Sequence, residues 1–279
     1  MNTLVRLNIA LTLTLTLIMV NSAAAQTSEE FHPYLSNKFN IEAGVFWPKV
    51  NFTAAVDGSE PNDEIDIDEA LRLEDYHSSL SAEFRWRFGE KWSFWAQYWG
   101  TDTDGSVILE EALPWEDVIF APGTFATGGV SLDVTRLFVG RIFSQSVRHE
   151  FGAGFGVHWL QLKTFAEGEI IVDDDSLEFY SDSASADFPM PNIGAWYFYS
   201  WSPKWMAQAR VDWLSASVGD YSGGIWDIQV GVNYQAFKTV GFGLYYKWFK
   251  LNGELDDEHW HGSVDLAQGG PLLTVSATW

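Results

Sequence analysis

Residues 272–279 read LLTVSATW. Leu273, Val275, Ala277 and Trp279 fall on one face of an extended chain, and Thr274, Ser276 and Thr278 on the other. Such period-two alternation marks a strand with two different neighbours. An apolar face that ends on an indole, opposite a face of hydroxyls, suits a strand that closes a barrel in a bilayer. The apolar side meets hydrocarbon, the hydroxyl side meets the lumen, and the last ring sits at the membrane–water boundary.

The same alternation recurs upstream. Phe39, Ile41, Ala43, Val45 and Trp47 share a face in a first strand over 39–48. Ser79 to Phe88 and Trp92 to Trp99 are two more, joined by Gly89-Glu90, which reads as a hairpin. A fourth lies near 131–143. There Arg136 has the parity of Leu132 and Val134, so a bulge or a register that turns it inward is expected. On the lipid face at mid-bilayer an Arg costs about 2–4 kcal/mol. Strands over 150–163, 192–201, 205–213, 226–235 and 240–248 follow, and 272–279 makes about ten. An even count brings both ends to one side of the membrane; eight or twelve remain open because the region from 101 to 143 is ambiguous.

Short turns alternate with long acidic stretches, at about 51–76, 101–128 and 164–189, with shorter links at 217–224 and 252–262. These read as extracellular loops, the second with apolar patches suited to a small hairpin. Residues 1–25 carry Arg6, an apolar run over 9–20 and Ala23-Ala24-Ala25, the pattern of a cleaved secretory signal. The mature domain is then 26–279, opening on a short polar lead. There are no cysteines, and the formal charge is −22, which argues against nucleic acid as a partner.

Alternation alone does not tell inside from outside, because a soluble barrel turns its apolar residues inward. Aromatic spacing does. Phe39 and Trp47, Phe151 and Trp159, Trp205 and Trp213, and Trp226 and Tyr234 lie eight residues apart on one face. Eight residues span about 26 Å, or about 20 Å when tilted, close to an apolar band between two aromatic girdles. Trp92, Trp201, Trp248 and Trp279 belong to the same girdles.

The mature chain, in its signal at 1–25, its strand–turn–strand units and its ending Val275-Ser276-Ala277-Thr278-Trp279, resembles the small outer-membrane β-barrels of Gram-negative bacteria. The resemblance implies an all-β, single antiparallel transmembrane up-and-down barrel in the outer membrane. It also implies insertion by the barrel assembly machinery through the last strand, and contact with outer-membrane lipid and lipopolysaccharide. A monomer without a cofactor is expected. No substrate follows.

By parity Glu42, Glu83, Arg85, Arg87, Arg210, Asp212, Asp227 and Lys247 face the lumen, with signs nearly balanced. In a small barrel such charges pair and plug the interior, and Trp95, Trp99, Trp196, Phe198 and Tyr245 narrow it further. A thin polar channel is the competing reading. The acidic stretches suit a solvated surface or a loosely held divalent cation. Asp256, His259 and His261 are weak metal candidates. His77-Ser78-Ser79 resembles the His-x-Ser of outer-membrane lipid A deacylases, which implies His77 and Ser79 as a catalytic alternative; Glu83, at about 20 Å from His77, cannot orient that imidazole. The primary expectation is a non-enzymatic barrel.

Overall fold

A computed structural model describes residues 32–56, 65–66, 78–110, 113–115, 118–120, 122–173, 176–218, 221–257 and 260–279. The expected signal at 1–25 lies outside them. One helical turn, α1 (Pro33–Ser36), precedes the strands β1 (Phe39–Phe46), β2 (Lys49–Val56), β3 (Ile65–Asp66), β4 (Ser79–Phe88) and β5 (Trp92–Ile108). Next come β6 (Leu113–Trp115), β7 (Val118–Phe120), β8 (Phe125–Gln145), β9 (His149–Asp173) and β10 (Ser176–Ser202). The chain finishes with β11 (Trp205–Val218), β12 (Tyr221–Gln235), β13 (Val240–Asp257) and β14 (Trp260–Thr278).

Each wall strand pairs antiparallel with its neighbours, and β1 closes the ring against β14, with Asn40 opposite Thr278 and Phe46 opposite Leu272. The closure is sealed at its foot, where the Phe39 amide donates to the Trp279 carbonyl at 2.9 Å and Trp279 returns the bond at 3.0 Å. The first strand expected over 39–48 stops at Phe46 and resumes as β2, which pairs with β14 from Lys49 opposite Gly269. Pro48 has no amide hydrogen for the ladder, so the wall steps here rather than running straight. β1 and β2 together form one staircase strand, and the wall therefore has ten strands, both ends on one side.

The outward face is apolar and exposed. Trp92, Phe151, Trp201, Trp205 and Trp279 lie on it near the short turns, and Trp47, Trp159, Trp213 and Trp226 higher up. The eight-residue spacing becomes two rings because the strand register aligns them: Trp205 lies opposite Tyr234, and Trp213 opposite Trp226. The rings touch, Trp205 and Tyr234 with centroids 4.7 Å apart, Trp213 and Trp226 at 6.0 Å. Phe39 packs on Trp279 at 5.7 Å, and Trp248 is half-buried on the same outer face. An exposed girdle pair with Val230, Leu244 and Val275 between is a surface that water would not tolerate over such an area and lipid would.

Two expectations are corrected, and a third is resolved between its alternatives. The acidic stretch at 164–189 is not a loop: β9 and β10 run through it in register from Asp173 opposite Ser176 to His149 opposite Tyr199, with one shift between Ser176 and Leu177. Likewise β2 takes up 51–56, β5 and β8 extend into 101–128 from Ile108 opposite Phe125, and β11 to β14 absorb most of the two shorter links. The carboxylates therefore ride on strand extensions as well as on loops. Above the bilayer an outward position needs no apolar residue, so the alternation fades while the backbone ladder continues. The hairpin expected in the second stretch is present as β6 and β7, with Leu113 opposite Phe120.

The second correction concerns the lead, which is not simply polar. Its last part, α1, sits in the mouth of the barrel with Tyr34 and Leu35 buried. On β8 the register, not a bulge, turns Arg136 inward, as one of the two alternatives expected, and Leu132 and Val134 face inward with it and are fully buried. The shift in β8 comes later, between Ile142 and Ser144.

Candidate functional site

The interior is filled in three tiers. At the mouth nearest the short turns, Arg85 and Arg87 reach from β4 to the single carboxylate of Glu150 on β9, Arg85 Nη2 at 3.0 Å from Oε1. Trp196 Nε1 donates to the same carboxylate at 2.8 Å. The two guanidinium groups also donate to the backbone carbonyls of Tyr34 and Leu35, which anchors α1. Arg85 lies 4.6 Å from the Tyr34 ring centroid, a cation–π contact. A buried carboxylate with two cations, an indole and no solvent is satisfied only because all these groups converge.

Inward glycines make this possible. A Cβ at Gly140 or Gly152 would run into the Trp196 ring. Trp196 therefore lies flat over two adjacent strands and meets Trp95 edge-on at 4.6 Å.

The middle tier is an ion network. Arg210 on β11 donates to Glu83 at 2.9 Å and to Gln97 at 2.8 Å. Arg136 on β8 binds Asp212 through Nε at 2.5 Å and Nη2 at 3.0 Å. Lys247 Nζ holds both oxygens of Asp227, at 2.7 and 2.9 Å. His158 stands between, 3.4 Å from Asp227 Oδ2 and 3.2 Å from the side-chain oxygen of Asn192. Glu42 lies opposite Glu83 in the β1–β4 ladder and accepts from Thr274 at 3.2 Å. Five acids (Glu42, Glu83, Glu150, Asp212, Asp227) thus share the interior with five bases (Arg85, Arg87, Arg136, Arg210, Lys247), and of these acids Glu42 forms no ion pair among the described residues.

Above the ions the lumen is largely apolar, although Gln268 donates to the Thr101 hydroxyl there at 2.8 Å. Phe46, Trp99, Val134, Leu160, Phe249 and Leu272 are fully buried there, part of one cluster that rises along β5, β8 and β9. Lys247 Nζ sits 4.8 Å from the Trp99 ring, so the tiers interlock. A cavity of about 10 Å³, lined by Tyr34, Glu83, Trp95, Arg136 and Arg210 among others, has room for about one water molecule.

The ligand atoms of His158, Asp212 and Asp227 lie within 4.8 Å of one another, as in a cation site. Each carboxylate already carries a protein cation, Arg136 on one and Lys247 on the other. The cluster therefore neutralises side chains and offers a metal ion no vacant charge. Of the other candidates, His77 and His259 lie outside the described residues. Ser79 points inward with its hydroxyl buried and unbonded. Asp256 and His261 are register partners in the β13–β14 ladder.

The eight parity-assigned lumen charges lie inside the wall together with Arg136, whose inward turn was expected, and are joined there by Glu150 and His158. Parity reaches the latter two, since Glu150 and His158 share a face with Gly152, Gly154 and Gly156. Tyr34 carries no such signal, because nothing in a four-residue helix announces that it will turn back into a barrel.

No family profile and no curated protein sequence matches the chain. Solved structures do. The outer-membrane protease OmpT from Escherichia coli superposes with a TM-score of 0.59 at 11% identity, over 91% of this chain and 100% of that one. The outer membrane protein OprG from Pseudomonas aeruginosa gives 0.41 at 8% identity, over 90% and 99% of the two chains. The toluene transporter TodX from Pseudomonas putida gives 0.36 at 9%, over 88% and 91%. The likeness to OmpT is one of fold. The chain is a closed ten-stranded barrel of the bacterial outer-membrane type, with its apolar belt facing outward.

Proposed function

We propose that the protein is a closed, non-enzymatic outer-membrane barrel that carries a tall acidic wall on the cell surface and conducts no solute. The observation that carries this reading is the filled lumen: α1 in the mouth, a buried ion network above it, and a largely apolar tier above that. Buried pairs of this kind are costly to break, since removing one partner leaves an uncompensated charge. A passage would have to break several together. The surface role is supported by the extensions, where Asp102, Asp104, Asp133, Glu167, Glu169 and Asp187 ride on β5, β8, β9 and β10. OmpT's activity does not transfer, because at 11% identity only the fold is shared.

Two measurements on one purified preparation test this. In planar bilayers the protein is expected to give no discrete current steps. Lipid A from cells that overproduce it is expected to keep its mass. Stable single-channel steps, or loss of an acyl chain that depends on Ser79, would overturn the reading.

A further inference from the structure

The chain is acidic overall, yet the end of the barrel that bears the short turns is basic. Each of the four turns carries one cation. They are Lys91 between β4 and β5, Arg148 between β8 and β9, Lys204 between β10 and β11, and Lys238 between β12 and β13. Lys38 stands at the foot of β1. All five are exposed, and none forms an ion pair among the described residues. Apart from the buried Glu150, the one acid described on this rim is Glu90. Of the other described cations, five are consumed in the lumen, leaving Lys49, Lys163, Lys250 and Arg141.

The placement of these cations is regular. Lys38 adjoins Phe39, Lys91 adjoins Trp92, Lys204 adjoins Trp205, and Lys238 adjoins Phe237, each ring a member of the lower outward belt. Lys38 Nζ lies 5.4 Å from the Phe39 ring centroid. An aromatic ring at the interface with an ammonium just beyond it spans the boundary between hydrocarbon and headgroup.

Arg141 makes the argument independently. It lies on the outer face of β8, level with Trp92, its register partner on β5, and is exposed with no ion pair among the described residues. An Arg facing lipid near the interface is inexpensive only if its guanidinium reaches the headgroups.

We propose that Lys38, Lys91, Arg141, Arg148, Lys204 and Lys238 form a collar that binds the phosphates of anionic phospholipids in the periplasmic leaflet. The collar faces the leaflet in which such headgroups lie, just outside the lower belt, so its ligand is the surrounding membrane itself. It also fixes the barrel's depth and hand in the bilayer, opposite to the acidic outer wall. This rests on the transmembrane reading, but not on the lumen being closed.

The test is lipid selection. The protein is folded into vesicles of equal phosphatidylglycerol and phosphatidylethanolamine, extracted gently, and its retained lipids are weighed by mass spectrometry. The wild type is expected to retain phosphatidylglycerol in about tenfold excess at low salt, with the excess shrinking at high salt. The variant K38Q/K91Q/R141Q/R148Q/K204Q/K238Q is expected to retain the two lipids equally while keeping its heat-dependent gel shift. Lys163→Gln, on the outer wall, is expected to leave the excess unchanged. If the six-fold variant does not insert, Lys204→Gln and Arg141→Gln singly are expected to lower the excess. No excess in the wild type, or an excess that survives these changes, overturns the collar, including the case in which the rim instead retains a soluble acidic protein. Protein that never inserts would overturn the membrane reading, and current steps would overturn only the closed lumen.

Discussion

Arg136 on β8 and Asp212 on β11 meet across the lumen, with β9 and β10 between them on the ring, Nη2 3.0 Å from Oδ1 and both side chains withdrawn from solvent. Gly194 makes the space, since a Cβ there would collide with the Asp212 carboxylate. Asp212→Ala strands Arg136 and is expected to cost about 3–5 kcal/mol. Arg136→Met combined with Asp212→Leu is expected to recover most of that, because the desolvation cost of both charges is removed. Urea unfolding of the barrel in micelles reads both. If the single and double variants are equally unstable, the pair does not hold the wall.

The Trp196 shelf gives a packing prediction. Trp196→Ala empties the space over Gly140 and Gly152 and removes a donor from Glu150, for a loss of about 3–5 kcal/mol. Gly152→Ala crowds the ring and is expected to cost about 1–3 kcal/mol. In the double variant the two losses are expected to sum to less than their total, since the new methyl partly fills the new void. Strict additivity in the same unfolding assay would contradict the shelf.

The outward belt is tested by charge. Val230 is exposed midway between Trp226 and Tyr234 on β12. Val230→Arg is expected to lower folding into vesicles by about 2–4 kcal/mol, and Trp226→Arg, at the edge of the band, by about 0–1 kcal/mol from charge alone. Equal effects, or none at Val230, would mean that this face does not touch hydrocarbon.

The seat of α1 is expected to depend on pH. Burial holds His32, just before α1, down at about 4 against an ordinary 6.5. Above pH 6.5 the ring is neutral whether the segment is seated or released, and docking is at full strength. Between 6.5 and 4 only the released form takes the proton, so docking weakens as pH falls, by up to about 3 kcal/mol, and levels off below 4. Protection factors of the amides at residues 34–37, corrected for intrinsic exchange, are expected to fall as pH drops through that window, and to lose the dependence in His32→Gln. Protection that rises on acidification would reverse the assignment.

Much of this barrel is written in alternation. The strands at 79–88, 205–213 and 226–235 start or end within a few residues of their sequence-based limits because lipid on one side and lumen on the other impose period two. The extensions were not legible as strands. Ser181, Ser183 and Ser185 on β10 lie beyond the bilayer, where nothing selects for an apolar outer face, although their backbones remain paired with β9. The breadth of the apolar upper tier was equally hidden. Leu132 and Val134 look like lipid-facing residues until the register shows Arg136 beside them on the inside.

The sequence by itself determined the architecture: which residues form strands in the bilayer, which face of each is greasy, and where the two aromatic rings fall. These follow from local periodicity, and every residue carries its own share of that signal. Only the tertiary structure decided which charge meets which. Arg136 finds Asp212, Lys247 finds Asp227, and Arg85 finds both Glu150 and the helix at residue 33 because strand count, tilt and register carry distant positions across one narrow lumen. Partners in a closed ring are set by the closure as a whole, and no single strand contains that information.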